Sequence, residues 1–337
     1  MAGEKGSRII GWGHKVPDTV ITNDDLAPVV DTSHEWIEKR SGICERRYVD
    51  NGEGSVALAE SAANEALERA GLEAGDVDAI ICCSLSPDVD SPGNCSLLHE
   101  RLQISPRFAF DVRNQCSGFV YALATADQLI RTGGAANVLV VGSEVHSSGL
   151  DFEGDRGRAV TVLFGDGAGA VVVGGSDDPA RGLLRFKLHA EGKYAEKLCL
   201  EGPAHRRRPR IDLSLCPPES DFIYPVMEGR YVFKHAIERM TEVVKDVLAE
   251  EGLTPADIDM FLPHQANLRI NQLVAMGLEL GEDRVSNNID RYGNTTAATI
   301  PILLSETLAA DRIHDGDLLC LTAFGAGFTW GAALYRW

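Results

Sequence analysis

Three polar residues that lie far apart in the chain have the side chains needed to exchange acyl groups between thioesters. They are Cys116, His264 and Asn294. A cysteine thiolate attacks a thioester carbonyl, while an imidazole and a carboxamide donate hydrogen bonds to an oxygen that gains negative charge. Each residue stands at the end of a predicted strand or directly before a predicted helix. The chemistry therefore depends on elements that bring three loops together.

Cys116 lies between two apolar segments of different length. Residues 107–112 predict a short buried strand, and residues 118–130 predict a nearly all-apolar helix that ends before a pair of glycines. At the start of such a helix, free backbone N–H groups and the helix dipole favour a thiolate, so we expect a lowered pKa for Cys116. The same amides could hold an oxyanion. The alternative is that Cys116 is only a small buried hydrophobic residue, as free cysteines usually are.

The other two residues, His264 and Asn294, each lie at the end or just before the start of a predicted element. His264 follows Pro263 at the end of an apolar strand segment, and Asn294 precedes a predicted helix over residues 297–308. A single histidine is more often a hydrogen-bonded core or surface residue than a catalyst, and an asparagine before two threonines is often a turn residue or a helix cap. Their positions at element ends nevertheless favour side chains that are aimed into a site.

The overall charge argues against nucleic acid as the main partner. The 337 residues include 32 basic and 50 acidic side chains, for a formal net charge of −18. The one dense basic run covers residues 205–210, with the sequence HRRRPR. It is either a solvated surface loop or a docking site for an acidic protein partner.

The apolar runs and the cysteines predict a cytoplasmic protein. No hydrophobic run is long enough to cross a membrane, and the first residues lack the apolar segment of a secretory signal. The eight cysteines form no CxxC pair and no spacing typical of a zinc site. We therefore expect free thiols, no bound metal and no membrane partner.

A repeated pattern indicates an internal duplication. Residues 71–83 and 252–264 share Gly-Leu-x-x-x-Asp-apolar-Asp followed by a buried strand. Each copy follows an amphipathic helix, predicted over 55–70 and 231–251, and each helix ends at a glycine.

The later elements of the two halves also occur in the same order. Strands are predicted over 137–142 and 169–173 in the first half, and over 317–325 and 328–336 in the second. This predicts two copies of one α/β unit, with mixed, largely parallel sheets covered by helices. We assign residues 1–176 to the half that carries the cysteine, and residues 177–337 to the half that carries the histidine and the asparagine.

Six segments together resemble the 3-oxoacyl-[acyl-carrier-protein] synthase III family of thiolase-fold condensing enzymes. They are WIEKRSGICERR at 36–47, QCSGF at 115–119, FGDGAG at 164–169, HQANLRI at 264–270, GNTTAA at 293–298 and AFGAGFTWG at 323–331. The resemblance implies a five-layered α-β-α-β-α fold built from two duplicated halves, and a homodimer. It covers nearly the whole chain.

The resemblance also implies an activity. Cys116 would take an acyl group from acyl-CoA, and His264 and Asn294 would stabilise the enolate that forms when a malonyl-thioester, carried by acyl-carrier protein or CoA, loses carbon dioxide. The backbone amides of Cys116 and Ala326 would form the oxyanion hole, with alanine at a position that is more often glycine. The product would be a 3-oxoacyl-thioester, and no metal or redox cofactor would be required.

Eight further positions match substrate-binding positions of the family. By resemblance, Trp36 and Arg156 would flank the adenine of CoA, and Arg40 and Arg269 would lie near its phosphates or near the carrier protein. Gly229 and Asn267 would line the pantetheine tunnel. The remaining two, Phe233 and Phe324, would be wall residues, although packing in the core explains each of them equally well.

Departures from the usual family pattern concern the acyl primer. Residues 113–115 carry larger side chains than in many housekeeping members, and the loop 88–94 lacks a bulky aromatic residue that shortens the acyl pocket in some members. Two extra residues precede Phe164, and the segment 198–221 is longer than usual. A longer or specialised primer is therefore expected, since each buried methylene contributes ~0.8 kcal/mol.

Two other functions stay open on the residues alone. A related acyltransferase would use the same cysteine for ester, amide or head-to-head condensation chemistry without decarboxylation. A Cys-His-Asn thioester hydrolase or a carrier-protein binder is a third interpretation, although the duplicated element order disfavours the hydrolase.

Overall fold

The computed structural model describes residues 6–105, 107–152, 158–212, 214 and 222–337. Its helices are α1 (Asn23–Leu26), α2 (His34–Ser41), α3 (Ser55–Ala70), α4 (Asn94–Arg101), α5 (Gly118–Arg131), α6 (Gly229–Glu250), α7 (Leu268–Gly277), α8 (Ile289–Tyr292) and α9 (Thr299–Ala309). Its strands are β1 (Gly6–Lys15), β2 (Val20–Thr22), β3 (Glu45–Arg47), β4 (Ala79–Cys83), β5 (Phe108–Val112), β6 (Asn137–Glu144), β7 (Gly167–Ser176), β8 (Gly182–Ala190), β9 (Leu198–Cys199), β10 (Val226–Met227), β11 (Met260–Pro263), β12 (Leu318–Gly325) and β13 (Thr329–Arg336).

Two sheets with the same internal order confirm the predicted duplication. The first has the order β1-β7-β6-β4-β5, and the second has the order β11-β12-β13-β8. Read from the opposite edge, the second sheet is β8-β13-β12-β11, which repeats the first four strands of the first sheet. The extra strand β5 lies at the free edge of the first sheet. The linker between the halves runs from the end of β7 to the start of β8.

The sheets are mixed but less parallel than the sequence suggests. β4 runs parallel to β5 and β6, and β11 runs parallel to β12. The other main pairs, β1 with β7, β6 with β7, β12 with β13 and β13 with β8, are antiparallel. For β12 and β13 the reason is local, because a short turn joins these two strands and forces them to run in opposite directions.

The helices complete five layers. α5 and α9 lie between the two sheets, and their apolar side chains share one buried cluster with strands of both sheets. α3 and α4 cover the outer face of the first sheet, while α6 and α7 cover the outer face of the second. Residues 299–305 of α9 are all buried, as expected for a helix in a central layer. The predicted five-layered α-β-α-β-α fold is confirmed.

Most element bounds agree with the prediction to within two residues. The largest difference is at β7, which spans Gly167–Ser176 where the sequence predicts a strand over 169–173. Smaller differences lie at helix ends. The helix predicted over 297–308 begins as a 3-10 turn over Thr296–Ala298 and continues as α9. Gly71 caps α3 with a left-handed φ of 67°. In the second copy Glu251 is the cap residue of α6, and the left-handed residue is Gly252, one position further on. Glycine adopts this backbone conformation without a steric penalty.

No helix in the described ranges combines the length and the apolar character that crossing a membrane requires.

Candidate active site

Cys116 lies in a 3-10 turn, Gln115–Ser117, between the edge strand β5 and the central helix α5. Gln115, directly before it, has a left-handed φ of 46°, which turns the chain sharply into the helix. The Ser117 hydroxyl is 2.8 Å from the Thr329 hydroxyl at the start of β13. The turn that carries Cys116, in the first half, is thereby tied to the second half.

The closest backbone approach at this turn comes from Gly325, at the end of β12. A Cβ at position 325 would lie 2.9 Å from the Cβ of Cys116 and 3.1 Å from its backbone nitrogen. Only glycine leaves room for the two segments to meet. Ala326 follows with a backbone outside the left-handed region, so its Cβ causes no strain. Its carbonyl accepts a hydrogen bond from the Thr329 hydroxyl, at 3.0 Å.

Burial decides the protonation state of the thiol. Cys116 is 9 % exposed, and desolvation together with the carboxylate of Glu144 raises its pKa to about 12. A backbone hydrogen bond at Cys116 acts in the opposite direction but is the smaller effect. The predicted lowering of this pKa by the helix end is therefore wrong, because transfer of the charged form out of water costs more than the local amide contributes.

His264 comes directly after β11, and its backbone N–H donates to Thr322 O at 2.8 Å, which extends the parallel pairing with β12. The side chain is 2 % exposed, and burial lowers its pKa to about 3, so the imidazole is neutral near pH 7. Nδ1 is 2.7 Å from the Thr299 hydroxyl at the start of α9. Nε2 is buried and has no hydrogen-bond partner among the described residues.

Asn294 is held by loops of both halves. Its backbone N–H donates to Leu163 O at 2.8 Å, and its carbonyl accepts from Gly165 N at 3.2 Å. The approach requires glycine at 165, because a Cβ there would lie 2.2 Å from Tyr292 O. Oδ1 of Asn294 accepts the N–H of Thr296 at 2.9 Å, so the amide NH₂ remains as the donor group of this side chain.

Two adjoining cavities lie between these three residues and the surface, and together they are called the tunnel. Cys116, His264 and Asn294 line one inner cavity of about 110 Å³. A wider outer cavity of about 700 Å³ opens at the surface. The two cavities share five lining residues: Leu163, Met227, Gly229, Phe233 and Asn267.

Seven of the eight predicted substrate-binding residues lie along this tunnel. Trp36, Arg40 and Arg269 line only the outer cavity, and Phe324 lines only the inner one. Asn267 also caps α7, and its side-chain NH₂ donates to Arg40 O at 2.9 Å. Arg156 lies outside the described residues.

The sequence interpretation missed Arg158, which is part of the outer cavity. The guanidinium carbons of Arg40 and Arg158 each lie 4.6 Å from the ring centre of Trp36. Arg158 also pairs with Asp31 at 3.0 Å. The available signal was that Arg158 lies two residues after Arg156, the position that matches the family motif.

The basic run at 205–210 contacts acidic residues of its own chain. Arg206 and Arg207 both pair with Glu201, and Arg210 pairs with Asp90 at 2.8 Å. Asp90 belongs to the loop that the sequence associates with the acyl pocket. Part of the positive charge of this run is therefore neutralised within the molecule.

Comparison with known proteins identifies the family. The chain matches the model of 3-oxoacyl-[acyl-carrier-protein] synthase III over residues 110–192, and the model of its C-terminal part over residues 248–337. This chain belongs to the 3-oxoacyl-[acyl-carrier-protein] synthase III family. It is an acyltransferase that condenses acyl thioesters.

Individual relatives cover nearly the whole chain. It is 43% identical over 334 residues to a beta-ketoacyl-[acyl-carrier-protein] synthase III of Rhodospirillum centenum, which covers 98% of this chain and 99% of that protein. A relative of the same name from Alkalilimnicola ehrlichii is 44% identical over 333 residues, with the same coverage. The crystal structure of 3-oxoacyl-[acyl-carrier-protein] synthase III from Aquifex aeolicus VF5 is similar with a TM-score of 0.90 and 41% identity, covering 98% of this chain and 100% of that one.

Proposed function

We propose that Cys116 accepts an acyl group from acyl-CoA and passes it to a malonyl-thioester on acyl-carrier protein. The observation that carries the proposal is the tunnel, which ends where a thiol, a neutral imidazole and a carboxamide line one small cavity. A neutral donor pair suits an oxygen that becomes charged only during the reaction, because it stabilises the transition state more than the substrate.

In the first half-reaction, the sulfur of Cys116 forms a bond to the acyl carbonyl and the bond to the CoA sulfur breaks. The thiol proton leaves with CoA as its thiol. The backbone amides of Cys116 and Ala326 hold the oxyanion of the intermediate. The close approach of Gly325 to the Cys116 nitrogen supports this assignment, since it brings the chain on either side of residue 325 next to the nucleophile.

In the second half-reaction, the malonyl group loses carbon dioxide and leaves an enolate at its thioester carbonyl. Nε2 of His264 and the amide of Asn294 donate to this oxygen. The enolate carbon attacks the acyl carbonyl, the bond to Cys116 breaks, and the sulfur takes up a proton. The sum is redox-neutral, and the proposed chemistry uses neither a metal nor a redox cofactor.

The outer cavity is proposed to bind the nucleotide part of CoA and the carrier protein. Trp36 offers a flat face for adenine, and the cations of Arg40, Arg158 and Arg269 suit phosphate and acidic protein surface. Gly229, Asn267 and Phe233 line the passage for the pantetheine arm, and Phe324 lines its inner end. Arg269 is exposed, and its guanidinium carbon lies 5.7 Å from the ring centre of Phe233 at the tunnel wall.

The primer is proposed to be longer than acetyl or specialised. Support comes from the sequence of the loop 88–94, which has no aromatic residue that could shorten an acyl pocket. Hydrogen bonds of Asp88 connect this loop to the first residues of α3 and α4. Asp88 accepts a hydrogen bond from the Ser55 hydroxyl at 2.8 Å, and its N–H donates to Asn94 at 3.1 Å.

A cytoplasmic homodimer is also proposed. β5 is an edge strand of a largely buried sheet, and Phe108 on it is 43 % exposed. Pairing with β5 of a second copy would cover this residue and give hydrogen-bond partners to the backbone groups at the open edge of the sheet. All the described cysteines are free thiols, including the adjacent Cys82 and Cys83, as expected in a reducing compartment.

Intact-mass measurement tests the central proposal. The protein is exposed to CoA thioesters from C2 to C12, and then to malonyl-carrier protein. We expect one acyl adduct that is lost in Cys116→Ala and kept in Cys199→Ala, a variant of a half-buried thiol that does not line the tunnel. Malonyl-carrier protein should discharge the adduct with release of carbon dioxide.

Other outcomes contradict specific parts of the proposal. An adduct that resists malonyl-thioester but leaves with an alcohol or amine would indicate a non-decarboxylating acyltransferase. A strict preference for acetyl-CoA would disprove the longer primer, and the absence of any adduct would remove the role of Cys116.

A further inference from the structure

The hydroxyl of Thr299 lies within hydrogen-bond distance of two atoms in the buried core. It lies 2.7 Å from Nδ1 of His264 and 2.9 Å from the carbonyl oxygen of Thr296. Thr299 is 2 % exposed. A hydroxyl has a single proton, so it can donate to only one of these two atoms.

The direction of this hydrogen bond decides where His264 carries its own proton. A neutral imidazole has one N–H and one lone-pair nitrogen. If the Thr299 hydroxyl donates to Thr296, Nδ1 must be the N–H and Nε2 can only accept. If the hydroxyl donates to Nδ1, Nε2 carries the proton and can donate.

The carbonyl of Thr296 does not need the hydroxyl. It already accepts the backbone N–H of Thr299 where the 3-10 turn passes into α9. Nδ1 of His264, in contrast, has the Thr299 hydroxyl as its only hydrogen-bond partner among the described residues. Because the Thr296 carbonyl has another donor and Nδ1 has none among the described residues, donation from the Thr299 hydroxyl to His264 is favoured.

The same turn also orients the second donor. The N–H of Thr296 holds Oδ1 of Asn294, and Thr296 adopts a left-handed φ of 43°. Its hydroxyl lies 2.8 Å from Nε2 of His146, a contact that supports this unusual conformation. One short segment, residues 296–299, thus contacts the side chains of both His264 and Asn294 on the sides away from their free donor groups.

We propose that Thr299 is a positioning residue whose hydroxyl donates to Nδ1 of His264 and thereby keeps the imidazole proton on Nε2. The unpartnered Nε2 then meets the enolate oxygen as a donor, without any proton transfer at that moment. This inference rests on the proposed function, since only the condensation step requires a donor at Nε2.

Nitrogen NMR of protein with ¹⁵N-labelled histidine tests the tautomer directly. The His264 signals are assigned by their loss in His264→Asn. We expect a protonated Nε2 and a lone pair on Nδ1 in the wild type and in Thr299→Ser, and an increased share of the Nδ1–H form in Thr299→Val. An Nδ1–H tautomer in the wild type would overturn the proposal.

Kinetics of the two half-reactions provide the second readout. Thr299→Val, which keeps the shape of the side chain, should slow condensation by about 10- to 100-fold, less than the ~10²–10³-fold loss expected when an oxyanion donor is removed outright. Acylation of Cys116 and the KM for malonyl-thioester should stay unchanged, and Thr299→Ser should be close to wild type. Equal losses in both variants would contradict the inference.

The two proposals fail in different ways. A wild type that forms no 3-oxoacyl product would disprove the proposed function, whereas the NMR result would still report the tautomer. Thermal unfolding of each variant checks that the core is intact, and a Thr299→Val protein that is folded and fully active in condensation would refute the role of Thr299.

Discussion

The two ends of the tunnel differ in charge and in contact with water. At the inner end, burial keeps both Cys116 and His264 in their neutral forms. At the outer end, the guanidinium groups of Arg40 and Arg158 lie against the Trp36 ring, and Arg269 lines the same cavity. The difference supports the proposal that the chemistry relies on oriented neutral dipoles and that recognition of the substrate carriers relies on charge.

The largest expected effect comes from removing a neutral donor at the inner end. Asn294→Ala should lower the condensation rate by ~10²–10³-fold, because one hydrogen bond to the enolate is lost where no water replaces it. The acylation rate of Cys116 should change little. Measuring the two half-reactions separately by intact mass and by product formation checks this expectation.

Asn294→Asp serves as the matched variant for this test. It keeps the size of the side chain but places a carboxylate beside the developing enolate, so it should be at least as damaging as Asn294→Ala. A charged residue that restored condensation would show that the inner end does not depend on neutral donors.

The next effect concerns how the alkylation rate of Cys116 depends on pH, which follows from the high pKa of its thiol. Because the thiolate is the nucleophile and the pKa is raised to about 12, alkylation by a neutral reagent should become roughly tenfold faster for each pH unit between pH 7 and 10. Stopped-flow alkylation with Cys116→Ala as background measures it. A rate that levels off near pH 7 would mean that the helix end stabilises the thiolate after all.

A charge reversal at the outer end should have a smaller effect, and on binding alone. Arg269→Glu should raise the KM for malonyl-carrier protein by about tenfold at low salt, and the difference should shrink as salt screens the surface. The kcat should be preserved. Lys245→Glu, on the exposed side of α6, is the control with the same change of net charge, and an equal rise in KM for this variant would exclude a local role for Arg269.

The smallest effect is expected for the aromatic ring. Trp36→Ala removes the aromatic ring that is proposed to bind adenine, and a contact with such a ring at an exposed site contributes ~0.5–1 kcal/mol. The KM for acyl-CoA should rise a few-fold, while the KM for malonyl-carrier protein should not change. If both values rise together, Trp36 supports the mouth of the tunnel as a whole instead of binding the nucleotide.

Much of the architecture was predictable because it is encoded in short, local patterns. The apolar periods of α3, α5 and α6 and the repeated glycine-leucine pattern before β4 and β11 indicated two equivalent halves. The two sheets confirm this through their matching strand orders. The short turn between β12 and β13 made their antiparallel pairing predictable. The directions of the other pairs were not predictable, since a buried strand has a similar composition in either direction.

The site was predictable in its residue types but not in its electrostatics. Cys116, His264 and Asn294 stood out by their positions at element ends, and the structure places all three along one cavity. Arg158 had only the neighbouring Arg156 as a signal and Thr299 had none, because each makes its contact with a residue more than thirty positions away. Arg158 contacts Trp36, and Thr299 contacts His264.

The sequence by itself determined the family, the duplicated α/β order and the identity of the three central side chains, because these follow from local patterning and distinctive motifs. Only the tertiary structure decided the protonation states of Cys116 and His264. The start of a helix favours a thiolate, yet burial under two sheets and a central helix layer raises the pKa of Cys116 and lowers that of His264. Desolvation depends on everything packed around a group, and it therefore becomes defined only when distant parts of the chain have come together.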